Sequence, residues 1–171
     1  MFFLQNAISL VFADTLVAPF VEEITFRGVI FGQVAKQYNT KIGLGVSSVL
    51  FGLVHLLNGE LNFLSAVQLV VSGTLMGLLL GLIYYYEKSI WANYTVHAIY
   101  NLFWGIFPVQ QGITHDWPIQ YIFSSKQQLL TGGQYGMDCS LPNIVGYLMM
   151  ILLMYFLIRK TLQCNALENE I

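Results

Sequence analysis

The sequence predicts an all-α protein, a polytopic transmembrane bundle of about five helices around a polar cavity, and three observations predict it. The 171 residues are 56% hydrophobic and only 9% charged, with a mean hydropathy of +0.64, well outside the usual range of a water-soluble domain. Five apolar stretches are long enough, or nearly so, to cross a bilayer that needs about 20 residues per helix. Inside those stretches sit ionisable and polar residues that are costly to bury in lipid, and such residues mark chemistry more often than packing.

The helices are expected at roughly 4–35, 42–57, 62–86, 89–107 and 142–159 by these apolar runs. The first is long and carries Pro19 near its middle, which predicts a kink or break just ahead of a carboxylate pair. The second and third open after Asn39-Thr40-Lys41 and Asn58-Gly59-Glu60, residues suited to short turns. Gly73-x-x-x-Gly77-x-x-x-Gly81 and Gly28-x-x-x-Gly32 read as small-residue packing faces that let helices approach closely. Residues 108–141 form the long connector, rich in Gly and Pro and suited to a lid or interfacial loop. One membrane-embedded core is therefore expected over 1–160, followed by a polar tail at 161–171. Met1 leads straight into Phe2-Phe3-Leu4 without a basic leader, so the first segment is read as retained.

Charge sets the orientation and excludes some partners. Lys36, Lys41, Lys88, Arg159 and Lys160 fall on one side of a five-span arrangement and Lys126 on the other, which places the amino terminus outside. The formal charge of -2 and the dispersed basic residues offer no stripe for nucleic acid, so none is expected as a partner. Cys139 and Cys164 flank the last apolar run and have no disulfide logic.

Three patterns carry the chemistry: Glu22-Glu23-x-x-x-Arg27, Phe51-x-x-x-His55 and His97-x-x-x-Asn101. Glu23 and Arg27 are four residues apart on one helix face, with the acid on the amino-terminal side, and can neutralise each other. Glu22 is turned about 100° away by helical geometry, which leaves its carboxylate to face a cavity and act on water. At about 1.5 Å per residue, Glu22 lies about 21 Å from Lys36, His55 about 21 Å from Lys41, and Asn101 about 20 Å from Lys88. His97 is shallower, about 14 Å by the same rise. Three helices thus place polar groups in overlapping layers, and a shared cavity is the economical explanation. It would hold what hydrolysis requires: Glu22 and His55 to polarise water, and His97 and Asn101 as donors to an oxyanion. The serines form no nucleophile–base constellation with these histidines. No cofactor is expected. The ligand types at Glu22, Glu23, His55 and His97 leave a divalent metal open, although the chain lacks His-Glu-x-x-His and Asn101 suits hydrogen bonding better than zinc.

Taken together, Glu22-Glu23-Ile24-Thr25-Phe26-Arg27-Gly28, Phe51-Gly52-Leu53-Val54-His55 and His97-Ala98-Ile99-Tyr100-Asn101 resemble the three successive motifs of the CAAX protease and bacteriocin-processing family, also called Abi. The likeness covers about residues 10 to 107. It implies a glutamate-dependent intramembrane endopeptidase in a bacterial cell membrane, in which Glu22 and His55 activate water while His97 and Asn101 form the oxyanion site. The expected partners are the lipid bilayer and a membrane-associated peptide or protein substrate, in bacteriocin processing or self-immunity. A non-catalytic bacteriocin immunity or interaction protein is the alternative, and a proton or ion pathway is disfavoured because the polar groups share one depth.

Other signals are read blandly. Asn93-Tyr94-Thr95 matches a glycosylation acceptor but lies within an apolar span, out of reach of modification. Tyr84-Tyr85-Tyr86 with Trp91 reads as an interfacial aromatic belt. His115-Asp116-Trp117 reads as an exposed polar turn without a role.

Overall fold

The computed structural model describes residues 5, 8–107, 109–110 and 121–168. Helix α1 is one run of helical turns over residues 10–37, but its winding changes along its length. Wide π turns at Leu10–Val17 and Ile24–Phe31 alternate with α turns at Ala18–Glu23 and Gly32–Gln37. No break opens at Pro19: the chain stays helical, and its winding changes just before the proline and again at the carboxylate pair. Val17, Ala18, Glu23 and Ile24 all keep right-handed helical dihedrals. Pro19 brings no N–H to the ladder and opens the α turn, and the adjoining change of hydrogen-bond register absorbs it. The helical expectation for residues 4, 6 and 7 falls outside the described residues, as do His115-Asp116-Trp117, Pro108, Gly112 and Pro118.

Helices α2 (Thr40–Val54, continued by a tight turn at His55–Asn58), α3 (Phe63–Glu87) and α4 (Ile90–Ile106) follow in near-continuous succession. Their starts are written in the sequence. Asn39 accepts from the Ile42 amide and Asn62 from the Ser65 amide, both at 2.9 Å, so each helix satisfies one of its otherwise orphaned first-turn donors. After α4, a two-residue parallel pairing joins β1 (Val109–Gln110) to β2 (Tyr121–Ile122). A short helix α5 (Gln128–Thr131), a turn at Met137–Cys139 and the long helix α6 (Leu141–Glu168) complete the chain. The last apolar run is therefore longer than the expected 142–159, and helix continues into the stretch read as a polar tail.

The protein is an all-α integral membrane bundle. Among the described residues three helices are each long and apolar enough to cross a membrane: Thr40–Leu57, Phe63–Glu87 and Leu141–Cys164. Of these α3 is the centre, 44% of its apolar window being buried against 11% for α6, and so it is the post against which the others pack. Phe26, Phe51, Met76, Leu79, Leu80, Tyr147 and Met154 form the core where α1, α2, α3 and α6 meet. Leu57, Phe63 and Met149 point outward at 83%, 85% and 67% exposure, as lipid-facing side chains do.

The glycines of α3 earn their packing role through close backbone approach. A Cβ at Gly73 would stand 2.9 Å from the Gly52 Cα, one at Gly77 3.0 Å from the Ser48 Cα, and one at Gly52 2.7 Å from the Val70 carbonyl. Gly28 and Gly32 differ. A Cβ there meets nothing nearer than 3.4 Å and 4.0 Å respectively, so this pair is no close-approach face and the expectation for it is corrected. Spacing alone cannot distinguish the two, because it reports which glycines share a face and not what the face meets.

Candidate active site

Glu23 lies at the last α-helical position before the second wide turn of α1, and Arg27 lies one turn on; both side chains are fully buried. Arg27 Nε approaches Glu23 Oε2 at 3.2 Å, while Nη2 donates to the Gly77 carbonyl at 2.9 Å. The close packing that glycine permits in α3 thus also exposes a main-chain acceptor to the guanidinium. Arg27 Cζ stands 4.6 Å from the centre of the Phe51 ring, a cation–π contact beside the ion pair, while Nη1 makes no hydrogen bond among the described residues. Glu23 is further engaged by α4, where Asn93 Nδ2 donates to Oε2 and His97 Nδ1 stands 2.8 Å from Oε1. A carboxylate withdrawn from water is tolerated here because several donors and a cation converge on it.

Glu22 is turned away from this cluster, as its spacing requires, and keeps 28% side-chain exposure on a cavity of about 410 Å³. His97 Nε2 lies 3.7 Å from Glu22 Oε2, so the imidazole bridges the two carboxylates, one on each nitrogen. His55 reaches the cavity from the end of α2. Its Nδ1 stands 2.7 Å from the Phe51 carbonyl. A carbonyl only accepts, so Nδ1 carries the proton and Nε2 is the nitrogen left for other partners. Asn101, one turn beyond His97, lines the same cavity and donates one amide N–H to the Asp14 carbonyl at 2.8 Å.

All six sequence-predicted residues are therefore gathered around one place, with Glu22, His55, His97 and Asn101 on the cavity and Glu23 and Arg27 behind its wall. Among the described residues no set of three or more His, Cys, Asp or Glu is arranged to hold a metal ion. Phe51 is the hub: its ring contacts His55 at 4.8 Å, His97 at 5.8 Å and the guanidinium of Arg27.

Two contributions escaped the sequence reading. Asn93, set aside with its glycosylation-like triplet, is fully buried and serves Glu23; its place one turn before His97 was the available signal. Asp138 and Tyr100 also line the cavity, with Tyr100 donating to Asp138 Oδ1 at 3.0 Å. Burial pushes the Asp138 carboxyl up to about 6, against the opposing pull of the Tyr100 hydrogen bond and the nearby His55. The adjacent Cys139 thiol is pushed up to about 12 by burial, which keeps it protonated and unreactive.

A family model described as "Type II CAAX prenyl endopeptidase Rce1-like" matches residues 4–103, the stretch that carries all three motifs. The chain is also 28% identical over 129 residues to the Bacillus subtilis (strain 168) protein named "Putative membrane peptidase YdiL". That alignment covers 74% of this chain and 46% of the relative, so the chain spans about half the length of the curated protein it matches. No solved structure matches the chain.

Proposed function

We propose, for a chain that belongs to the Rce1-like family of type II CAAX prenyl endopeptidases, hydrolysis of a peptide bond in or beside the membrane by water that Glu22 and His55 activate. The carrying observation is the division within the carboxylate pair: Glu23 is buried and engaged by Arg27, Asn93 and His97, whereas Glu22 faces the cavity that His55 also lines. A general base must be able to reach water, and of the two glutamates only Glu22 keeps that access.

In this reading Glu22 takes a proton from water held beside His55 Nε2, and the hydroxide attacks the peptide carbonyl. The oxyanion accepts from the second amide N–H of Asn101 and from His97, which between the two carboxylates carries a proton on each nitrogen, giving Nδ1–H to the buried Glu23 and Nε2–H to the oxyanion. Glu22 then returns its proton to the departing amine, so the base of the first step is the acid of the second. In a five-span arrangement with the basic loops inside, a cavity lined from the start of α1, the end of α4 and the turn before α6 opens towards the outer face, and that is the face this reading takes. The substrate is then a membrane-associated peptide or protein presented from that face.

The test compares membranes containing the native chain with membranes containing Glu22→Gln, surveying which peptides are shortened. Cleavage should fall by about 10²- to 10⁴-fold while the protein remains folded. Equal shortening by both chains would exclude Glu22 as the base. If the chain instead confers bacteriocin protection that survives Glu22→Gln and His55→Ala, it acts as a non-catalytic immunity protein.

A further inference from the structure

Asp138 brings a carboxylate to the cavity from outside the segment that the family model matches. Its mounting is built by three helices. Ser72 of α3 donates to its main-chain carbonyl at 2.5 Å, and Asn143 of α6 donates to the same oxygen at 2.7 Å. Gln68, one turn before Ser72, donates to the Cys139 carbonyl at 3.1 Å. On the side chain, Tyr100 of α4 holds Oδ1, and the Tyr100 hydroxyl itself accepts from Tyr147 and Asn143. Among the described residues Oδ2 has no hydrogen-bond or ion-pair partner. The carboxyl is therefore fixed in place with one oxygen uncommitted.

In the cavity around it the His55 imidazole supplies an opposing charge, but among the described residues no lysine or arginine does. Asp14, Glu22 and Asp138 line it with the two imidazoles of His55 and His97, and none of the seven Lys and Arg residues does. Arg27 is turned into the buried ion pair with Glu23. A desolvated carboxylate that is only partly compensated is costly, and a cationic group entering the cavity would relieve that cost. A terminal carboxylate would meet repulsion at the same place.

Building on the peptidase reading, we propose that Asp138 is a substrate-recognition residue: its free oxygen takes the Lys or Arg side chain of a peptide that is cleaved internally, next to that basic residue. Tyr100, Ser72 and Asn143 act as positioning residues for it. The titratable groups that face Asp138 are Tyr100 from α4, Tyr147 from α6, His55 from the end of α2 and the neighbouring Cys139. Asp14 and Glu22 of α1 and His97 of α4 share the cavity with them.

The probes are two fluorescent, end-blocked apolar decapeptides identical except for one central residue, lysine or norleucine. Binding is measured to the full chain carrying Glu22→Gln in nanodiscs, so that nothing is cleaved and the result does not depend on catalysis. At pH 7.5 the lysine peptide should bind about tenfold more tightly. The preference should vanish on Asp138→Asn, which keeps shape and the Tyr100 hydrogen bond, and should shrink on acidification to pH 5 as the carboxyl protonates. Equal affinities, or a preference that survives Asp138→Asn, would overturn the assignment, the latter pointing to Asp14. Should Asp138→Asn fail to fold, a lysine preference unchanged between pH 7.5 and pH 5 overturns it equally well. A Glu22→Gln chain that selects the lysine peptide, beside a native chain that cleaves neither, would sink the peptidase reading and leave this one standing.

Discussion

Glu23 and Asp138 are both carboxylates set among helices, yet they are held in different ways. Glu23 is secured from its own helix by Arg27, four residues away, with α4 adding Asn93 and His97; the centre is fully buried and neutralised within itself. Asp138 sits in a connector and is secured by Ser72 and Tyr100 from distant helices and by Asn143 five residues on, and among the described residues its second oxygen has no partner. The first arrangement fixes the wall of the site and the second leaves a point of recognition. Burial with full compensation produces scaffold, whereas burial with partial compensation produces a place where a ligand gains free energy.

The largest effect should come from dismantling the compensated centre. Arg27→Ala leaves Glu23 charged and buried without its cation, a loss of about 3–5 kcal/mol. Thermal unfolding in detergent should show the variant largely unfolded or poorly accumulated. Next is the connector. Gly132 has a φ of +78°, and a Cβ there would collide with the Gly136 carbonyl at 1.6 Å, while Gly133 and Gln134 pack on Ser65 of α3. Gly132→Ala should displace the Asp138 turn at a cost of about 1–3 kcal/mol and leave the Glu23 cluster in place. Hydrogen exchange should rise over residues 127–140 and stay unchanged around 23–27.

A smaller contrast separates the two glycine pairs. Gly52→Ala should cost about 1–3 kcal/mol by forcing α2 and α3 apart, whereas Gly28→Ala, with 3.4 Å to the Ile90 side chain, should be close to neutral. Unfolding midpoints of the two variants check this directly. The smallest effect is the pH dependence that Asp138 confers. Its folded-state value is raised to about 6 from 3.8, so the native chain holds the proton more tightly than the unfolded chain. Its contribution to stability is therefore complete below about 4 and is lost as pH rises through about 6. Asp138→Asn should flatten that part of the profile and raise the unfolding midpoint by a few degrees above pH 6.

The same contrast explains what the sequence disclosed. Glu23 with Arg27, and His97 with Asn101, announce themselves because four-residue spacing on a helix converts directly into a shared face. Membrane depth, counted from the flanking lysines, then brings three such faces to one layer. Asn93 was legible by the same rule, being one turn from His97, but its triplet with Tyr94 and Thr95 drew the reading elsewhere. Asp138 was not legible, because its position depends on side chains 38 to 66 residues away and on backbone turns at Gly132, Gly133 and Gly136. The wide turns of α1 were hidden too: Pro19 signals a disturbed ladder without saying whether the helix bends or rewinds.

The central claim is that water held between Glu22 and His55 is the nucleophile, and cleavage in oxygen-18 water tests it most directly. Native chain in nanodiscs, given a lysine-bearing membrane peptide, should yield one new carboxyl terminus carrying a single oxygen-18 from the solvent. Glu22→Gln and His55→Ala should yield no labelled product over the same period, with both variants still folded. Labelled product at the native rate from either variant would contradict the account.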